Sequence, residues 1–444
     1  MDQGRNVVVV ATVMLSAGVG LGSAALVGAQ GQATQAPSFQ VDPLWPKPLP
    51  NHWILGSAVG VAVDARDHIF VLNLPTSFNA RTEIGAAANP PTGECCLPAP
   101  AVLEFDAEGT LVGNWGGPGQ GFTWPGTGSG IALDPRDNLW IGGVGGTDTQ
   151  ILKFAKNGRF VSTVGKAAPP PPPAPAAAAT PDTAYLGVSG AGRGAGAAGA
   201  AGGAGAGRGG RGGRGGGAPP AVAPNSAATD MFGGASAFAF DARANEAFVA
   251  DGSRNRRVAV VDMNTGAVKR VWGAYGGKPD DAPLAAYAPD APPAKQFSYV
   301  ACVELSTDNL VYVCDRQNNR IQVFRKDGTF VREGVIAPQT RGAGSVWDIA
   351  FSRDPQQRFL YVADGMNMKV HIVDRQTLTP ITSFGDGGRT PGQFFAVHSI
   401  ATDSKGNIYT TESLEGKRVQ KFLYKGMAPV TKKDQGVPRD GGSR

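Results

Sequence analysis

Five acidic or amide residues recur at comparable places along this chain, each closing a short apolar run: Asn73, Asp251, Asp315, Asp364 and Glu412. After four of them a base follows five or six residues later: Arg257, Arg320, Lys369 and Arg418. Such a set has two uses. Carboxylates and an amide gathered at one place can hold a polar ligand or a divalent cation. Carboxylates that each face their own base instead pin loops, and ion pairs of that kind perturb charges without being catalytic. The regular spacing from acid to base favours pinning. The five residues, with Arg316 directly after Asp315, still form the candidate ligand-binding set, and Arg316 is the one candidate for a catalytic role.

The other chemistry-bearing types are sparse. There are four histidines, His52, His68, His371 and His398. A catalytic zinc takes three protein ligands and an open position. His398 heads an apolar run and could face a central cavity, but alone it suits a hydrogen-bonded histidine better than a metal ligand. A divalent ion, zinc or calcium, is the only cofactor in view, and no complete ligand set supports it. There is no Gly-x-Ser-x-Gly elbow, P-loop or dinucleotide fingerprint on a βαβ unit. The four cysteines are even in number. Cys302 and Cys314 flank a hairpin and can be either a disulfide or two small buried side chains, as register decides. Cys95 and Cys96 are adjacent and either bridge each other or stay free.

The elements that position these residues are repeated. One phrase, a small residue, apolar residues, an Asp or similar, a polar turn and a second apolar run, occurs six times. It begins at Val59, Gly130, Phe238, Val300, Trp347 and His398, and the second runs include Ile69-Phe70-Val71, Leu310-Val311-Tyr312 and Leu360-Tyr361-Val362. Each copy continues into third and fourth strands, as in Arg320–Phe324, a Lys326-Asp327-Gly328 turn and Thr329–Val331. Alternation with period two and Asp/Asn-Gly turns predict antiparallel hairpins. Four strands in roughly 43 residues predict a propeller blade. The expected fold is therefore all-β, a six-bladed β-propeller over 39–427. The last copy reaches only three strands, so Phe39–Asp42 is expected to supply the outer strand of blade six and close the ring, because propellers must hide their edges.

Around this core, residues 1–29 read as a signal peptide: Arg5, an apolar run from Val7 to Val27, and small residues before Gln30. The alternative is a retained anchor. Cleavage leaves no other segment apolar enough to span a membrane, so a periplasmic or extracellular protein is expected, and a monomer. Residues 167–230 are Pro, Ala and Gly with Arg193, Arg208, Arg211 and Arg214, too poor in apolar surface to offset ordering entropy. Those four arginines nearly account for the net charge of +5, so the folded part offers no basic face for nucleic acid. The polar tail 428–444 is expected to be flexible.

With the blades laid out, the chain resembles the NHL-repeat propellers across roughly 39–427. The stretch Val311-Tyr312-Val313-Cys314-Asp315-Arg316-Gln317-Asn318-Asn319-Arg320-Ile321-Gln322-Val323-Phe324 is close to that consensus, as is Gly392-Gln393-Phe394. Among the enzymes on this scaffold it looks most like the peptidyl-α-hydroxyglycine α-amidating lyases. The resemblance implies a zinc on three histidines at the heads of inner strands, with arginines and a tyrosine nearby. His398 matches one zinc histidine, and Arg316 one arginine. The other two zinc positions fall on Ser129 and Ala301, the second arginine on Leu74, the tyrosine on Ser253, and the aspartate after the last histidine on Ser399. The resemblance thus implies a lyase-like propeller without the lyase's zinc triad.

The reading favours an exported binding or scaffold module, with a protein, peptide or small-molecule partner at the channel mouth. The alternative is a metal-dependent lyase or hydrolase with a divergent site. Sugar-acid lactonase propellers bind their metal with carboxylates and an asparagine, which is an analogy of fold alone.

Overall fold

A computed structural model describes Met1 and residues 34–79, 81–88, 90–169 and 222–438. Apart from Met1, the segment read as a signal peptide lies outside these residues, as do all four arginines of the Arg-Gly tract. Among the described residues no helix is long and apolar enough to cross a membrane.

From Gln35 onward the chain forms six four-stranded antiparallel sheets, the blades of a six-bladed β-propeller. In each of the first five, consecutive strands run from the centre outward. Blade one is Ser57–Val63, Ile69–Leu74, Val102–Phe105 and Leu111–Trp115. Blade two is Gly128–Leu133, Asn138–Gly143, Ile151–Ala155 and Phe160–Val164. Blade three is Ala235–Asp241, Glu246–Asp251, Arg257–Asp262 and Val268–Trp272. Blade four is Val300–Leu305, Leu310–Asp315, Arg320–Arg325 and Phe330–Val335. Blade five is Asp348–Phe351, Phe359–Asp364, Lys369–Asp374 and Thr379–Phe384. In blade six Val397–Thr402, Ile408–Glu412 and Arg418–Pro429 are followed outward by Gln35–Asp42 from the other end of the chain.

The recurring aspartate of the sequence phrase shapes the turn between inner and second strands. Asp64 accepts from the amides of Arg66 (2.8 Å) and His68 (2.9 Å), and Asp403 from those of Lys405 (3.0 Å) and Asn407 (2.9 Å). The chain then reverses through a left-handed residue in all six blades: Asp67, Asp137, Asn245, Asn309, Gln357 and Gly406. Asn, Asp and Gly tolerate that conformation most readily.

The expected closure of the ring needs correction. No sheet is closed by hydrogen bonds: the six sheets stay separate, and no ladder runs from one to the next. Gln35–Asp42 adds an edge strand to its own sheet, pairing Val41 with Phe422 and Phe39 with Tyr424. What joins neighbours is packing between sheet faces, together with side-chain contacts on the face of the inner-to-second turns. Lys156 bonds Asp64 (2.8 Å), Arg136 bonds Asn264 (2.6 Å), Lys326 bonds Asp241 (2.6 Å) and Arg375 bonds Asp308 (2.9 Å). Arg353 reaches Asp403 O (3.1 Å), and Ser404 reaches Asp67 (2.6 Å), which brings the circuit back to blade one.

The insertions are anchored at their ends. In the loop after Leu74, Leu97–Pro98 pairs in parallel with Trp53–Ile54, Glu83 meets Lys417 (2.6 Å), and Cys95 and Cys96 are joined to each other. Cys302 and Cys314 stand opposite each other in register, with Cα atoms 4.9 Å apart, and form a disulfide. The low-complexity insertion ends sooner than its composition implies. Ser226 takes its amide to Asp281 (2.9 Å), and the Ser226 and Ala228 carbonyls accept from Arg257. Beyond Pro429 the chain lies along the outer edge of blade five, where Gln435 N–H bonds Ser383 O (2.8 Å) and Lys369 pairs with Asp434.

Candidate functional site

Inner strands of all six blades surround a central channel of about 450 Å³. One layer of its wall is Val59, Ser129, Ser236, Ala301, Trp347 and His398, one residue from each blade. Three positions further along each repeat, a second layer is Ala62, Ala132, Ala239, Glu304, Ala350 and Ala401. Small side chains leave the lumen open, and the few large or charged ones give it character.

The cationic end lies beside Trp347 and His398. Arg316 leaves the second strand of blade four, and its guanidinium stacks over the Trp347 ring at 3.4 Å from the centroid, with the Tyr299 ring at 5.4 Å. Arg316 Nε donates to Ala343 O (2.8 Å). Both Nη groups have no hydrogen-bond partner among the described residues. The loop that shapes this stack depends on Gly344 (φ +77°), where a Cβ would stand 1.9 Å from Arg316 O. Gly365 likewise makes room for the indole, since a Cβ there would come 2.7 Å from Trp347 Cε2. Trp347 donates its Nε1–H to Gly344 O (2.7 Å) and meets the His398 ring edge-on at 5.6 Å.

Electrostatics follow from this enclosure. Burial lowers the Arg316 pKa to about 10, against the opposing pull of Tyr299 and Asp364, so the side chain stays cationic at neutral pH. Burial and then the charge of Arg316 push His398 down to about 3, so its imidazole is neutral. Its Nδ1 is buried without a partner. Burial raises the Tyr299 phenol, while Arg316 and Arg254 oppose the rise. Arg254 is committed elsewhere, with Nη1 on Gly145 O and Nη2 on Asp148 O, both at 2.7 Å.

An acidic waist lies deeper. Asp348 Oδ2 accepts from Ser399 Oγ (2.6 Å) and Ile400 N (2.9 Å), and burial still lifts its pKa to about 6. Glu304 is half-buried against the lumen and has no hydrogen-bond partner among the described residues. Burial first, then the neighbouring Asp348 charge, raise it to about 8, with Arg353 opposing.

The other residues singled out in the sequence are engaged within their own blades. Asn73 accepts from Gly56 N (2.7 Å) and donates to Ala99 O (3.0 Å). Asp251 accepts from Gly233 N (2.5 Å), Asn255 (2.9 Å) and Arg257 (2.8 Å). Asp315 accepts from Ser298 N (2.9 Å), Asn318 (2.7 Å) and Arg320 (2.8 Å). Glu412 accepts from Phe395 N (2.6 Å), Arg418 (2.5 Å) and Gln420 (2.8 Å). In blade five His371, not Lys369, takes the second-strand carboxylate, with Nε2 at 2.9 Å from Asp364. Of the whole set only His398 lines the channel, and Arg316 stands beside it on Trp347, close enough for its charge to act on that imidazole.

No family model matches the sequence, and no curated protein matches it. Among solved structures the chain is similar to a streptogramin B lyase structure, at 11% identity and a TM-score of 0.42, over 88% of this chain and 97% of that one. The six-bladed propeller itself stands on the strand order above.

The zinc implied by the resemblance does not fit these residues. Ser129 and Ala301 share the His398 layer but offer no imidazole, and no group of three His, Cys, Asp or Glu among the described residues could hold a metal ion. Sequence reasoning missed Tyr299, Trp347, Glu304 and Asp348. The repeat itself carried a signal for two of them: Glu304 stands where the other blades have alanine, and Asp348 where they have Gly60, Gly130, Ala237, Cys302 and Ser399.

Proposed function

We propose that this chain is a binding module whose channel mouth takes a small ligand with an anionic group. The observation that carries this reading is Arg316, a cation stacked on an indole whose two terminal nitrogens have no hydrogen-bond partner among the described residues. Guanidinium groups bind carboxylate or phosphate through paired N–H donors, and a planar stack fixes the direction of that fork. Tyr299 adds a hydroxyl that keeps its proton. Farther in, Glu304 and Asp348 disfavour a second anion and admit a hydrogen-bonding or cationic group.

The NHL likeness supports a scaffold role in the same terms, since its Asp315-to-Arg320 stretch forms the hairpin that presents Arg316. The lyase alternative draws no support from a metal cluster among the described residues. Export belongs to this proposal too, and two disulfides suit an oxidising compartment.

Calorimetric titration of the full chain with acetate, succinate and inorganic phosphate tests the reading. At least one should bind, and Arg316→Gln should weaken it by about tenfold or more, the value of one charge-assisted hydrogen bond. Equal affinity in the two proteins would refute the assignment.

A further inference from the structure

A second cavity, about 270 Å³, lies between blades five and six on the face opposite Arg316. The turn after the inner strand of blade five forms one wall, and the corresponding turn of blade six the other. Its lining combines three rings, Phe359, Tyr361 and Tyr424, with three cations, Arg353, Arg358 and Lys405, and one carboxylate, Asp354.

Those charges are unequally engaged. Arg358 is paired with Asp354 (3.2 Å). Arg353 is anchored by Nε on Asp403 O (3.1 Å) and by Nη2 on Thr402 O, which leaves Nη1. Lys405 makes no salt bridge among the described residues. The most telling group is Tyr361. It is 2% exposed, its ring packs edge-on against Phe39 at 5.3 Å, and its hydroxyl has no hydrogen-bond partner among the described residues. The hydroxyl opens into the cavity, where a donor left free suits an acceptor that occupies it. Burial raises the phenol pKa, so this hydroxyl donates.

We propose that this groove binds a small aromatic carboxylate. Its ring lies against Phe359 and the half-exposed Tyr424, a stacking arrangement that aromatic pairs favour. Its carboxylate accepts from Tyr361 and faces Lys405 and the open nitrogen of Arg353. A neutral arene would leave the hydroxyl and the cations without partners, and an aryl amine would add a like charge.

Saturation-transfer NMR on the full chain, with benzoate as the probe and benzylamine as its charge-reversed control, tests the proposal. Benzoate should receive saturation and benzylamine should not. Tyr361→Phe, which keeps the ring and its packing, should weaken benzoate about fivefold, as should Lys405→Glu. Arg316→Gln should leave this binding in place, which separates the groove from the channel mouth. No transfer to benzoate, equal transfer to benzylamine, or a loss in Arg316→Gln without one in Lys405→Glu would overturn it.

Discussion

Glu304 breaks the pattern of its own repeat, and the consequence is a titration. Five blades place alanine at that register, and blade four places a carboxyl in a lumen that already holds Asp348. A carboxyl whose folded pKa is raised keeps its proton in the native state after the unfolded chain has lost it. Its stabilising contribution is whole below the ordinary value of 4.5 and declines until the pH passes about 8. Asp348 behaves alike, but its window ends at about 6. Between pH 6 and 8 Glu304, unlike Asp348, still contributes a falling slope, against the rising one of His398, which fades above its ordinary value of 6.5. Glu304→Gln keeps the shape and cannot ionise. It should gain on the wild type across that interval by on the order of 2 kcal/mol in urea unfolding. A difference independent of pH would show that Glu304 ionises freely in the channel.

In blades three to six the decisive device is a carboxylate at the end of the second strand. In blade three Asp251 and Arg257 are both fully buried, and Arg257 also holds the carbonyls of Ser226 (2.6 Å) and Ala228 (2.7 Å). Removing the base strands a buried carboxylate, which costs about 3–5 kcal/mol. Arg257→Met should lose that much in urea denaturation. Asp251→Asn combined with Arg257→Met should recover part of it, because the uncompensated charge is gone; a double variant no better than the single would deny the ion pair its role. The spacing of Asp251 and Arg257 was legible in the sequence because both partners are side chains at a fixed offset. That Arg257 also holds the returning insertion was not legible. Its acceptors are backbone carbonyls, which carry no residue signature, on the far side of a low-complexity tract. The same limit hid Tyr299 and Trp347: each precedes an inner strand, and only the curvature of the ring brings them to Arg316. Blade five shows how a near neighbour overrides spacing, since His371 faces Asp364 while Lys369 turns out to Asp434.

For the molecule as a whole, six-fold repetition was legible because each turn announces itself by an aspartate and a left-handed residue. How the ring holds together was not, since face packing leaves no periodic mark. Phe39 shows the principle. It sits on the strand that edges blade six, yet its ring lies 5.3 Å from Tyr361 and 5.4 Å from Phe384, both in blade five. It is 9% exposed, in one apolar cluster with Val41, Ile372, Phe394 and Phe422. A linear array of repeats frays from its terminal units; here the polar contact of Ser404 with Asp67 and the packing of Phe39 leave no sheet terminal. Phe39→Ala should cost about 3–5 kcal/mol, as for a large ring removed from a core. Because every sheet still has two neighbours, the loss should appear as one shifted transition, with tryptophan fluorescence and far-ultraviolet circular dichroism moving together. A biphasic curve, in which blades five and six melt ahead of the rest, would mean that the sheets are stable sector by sector and that the ring adds no cooperativity.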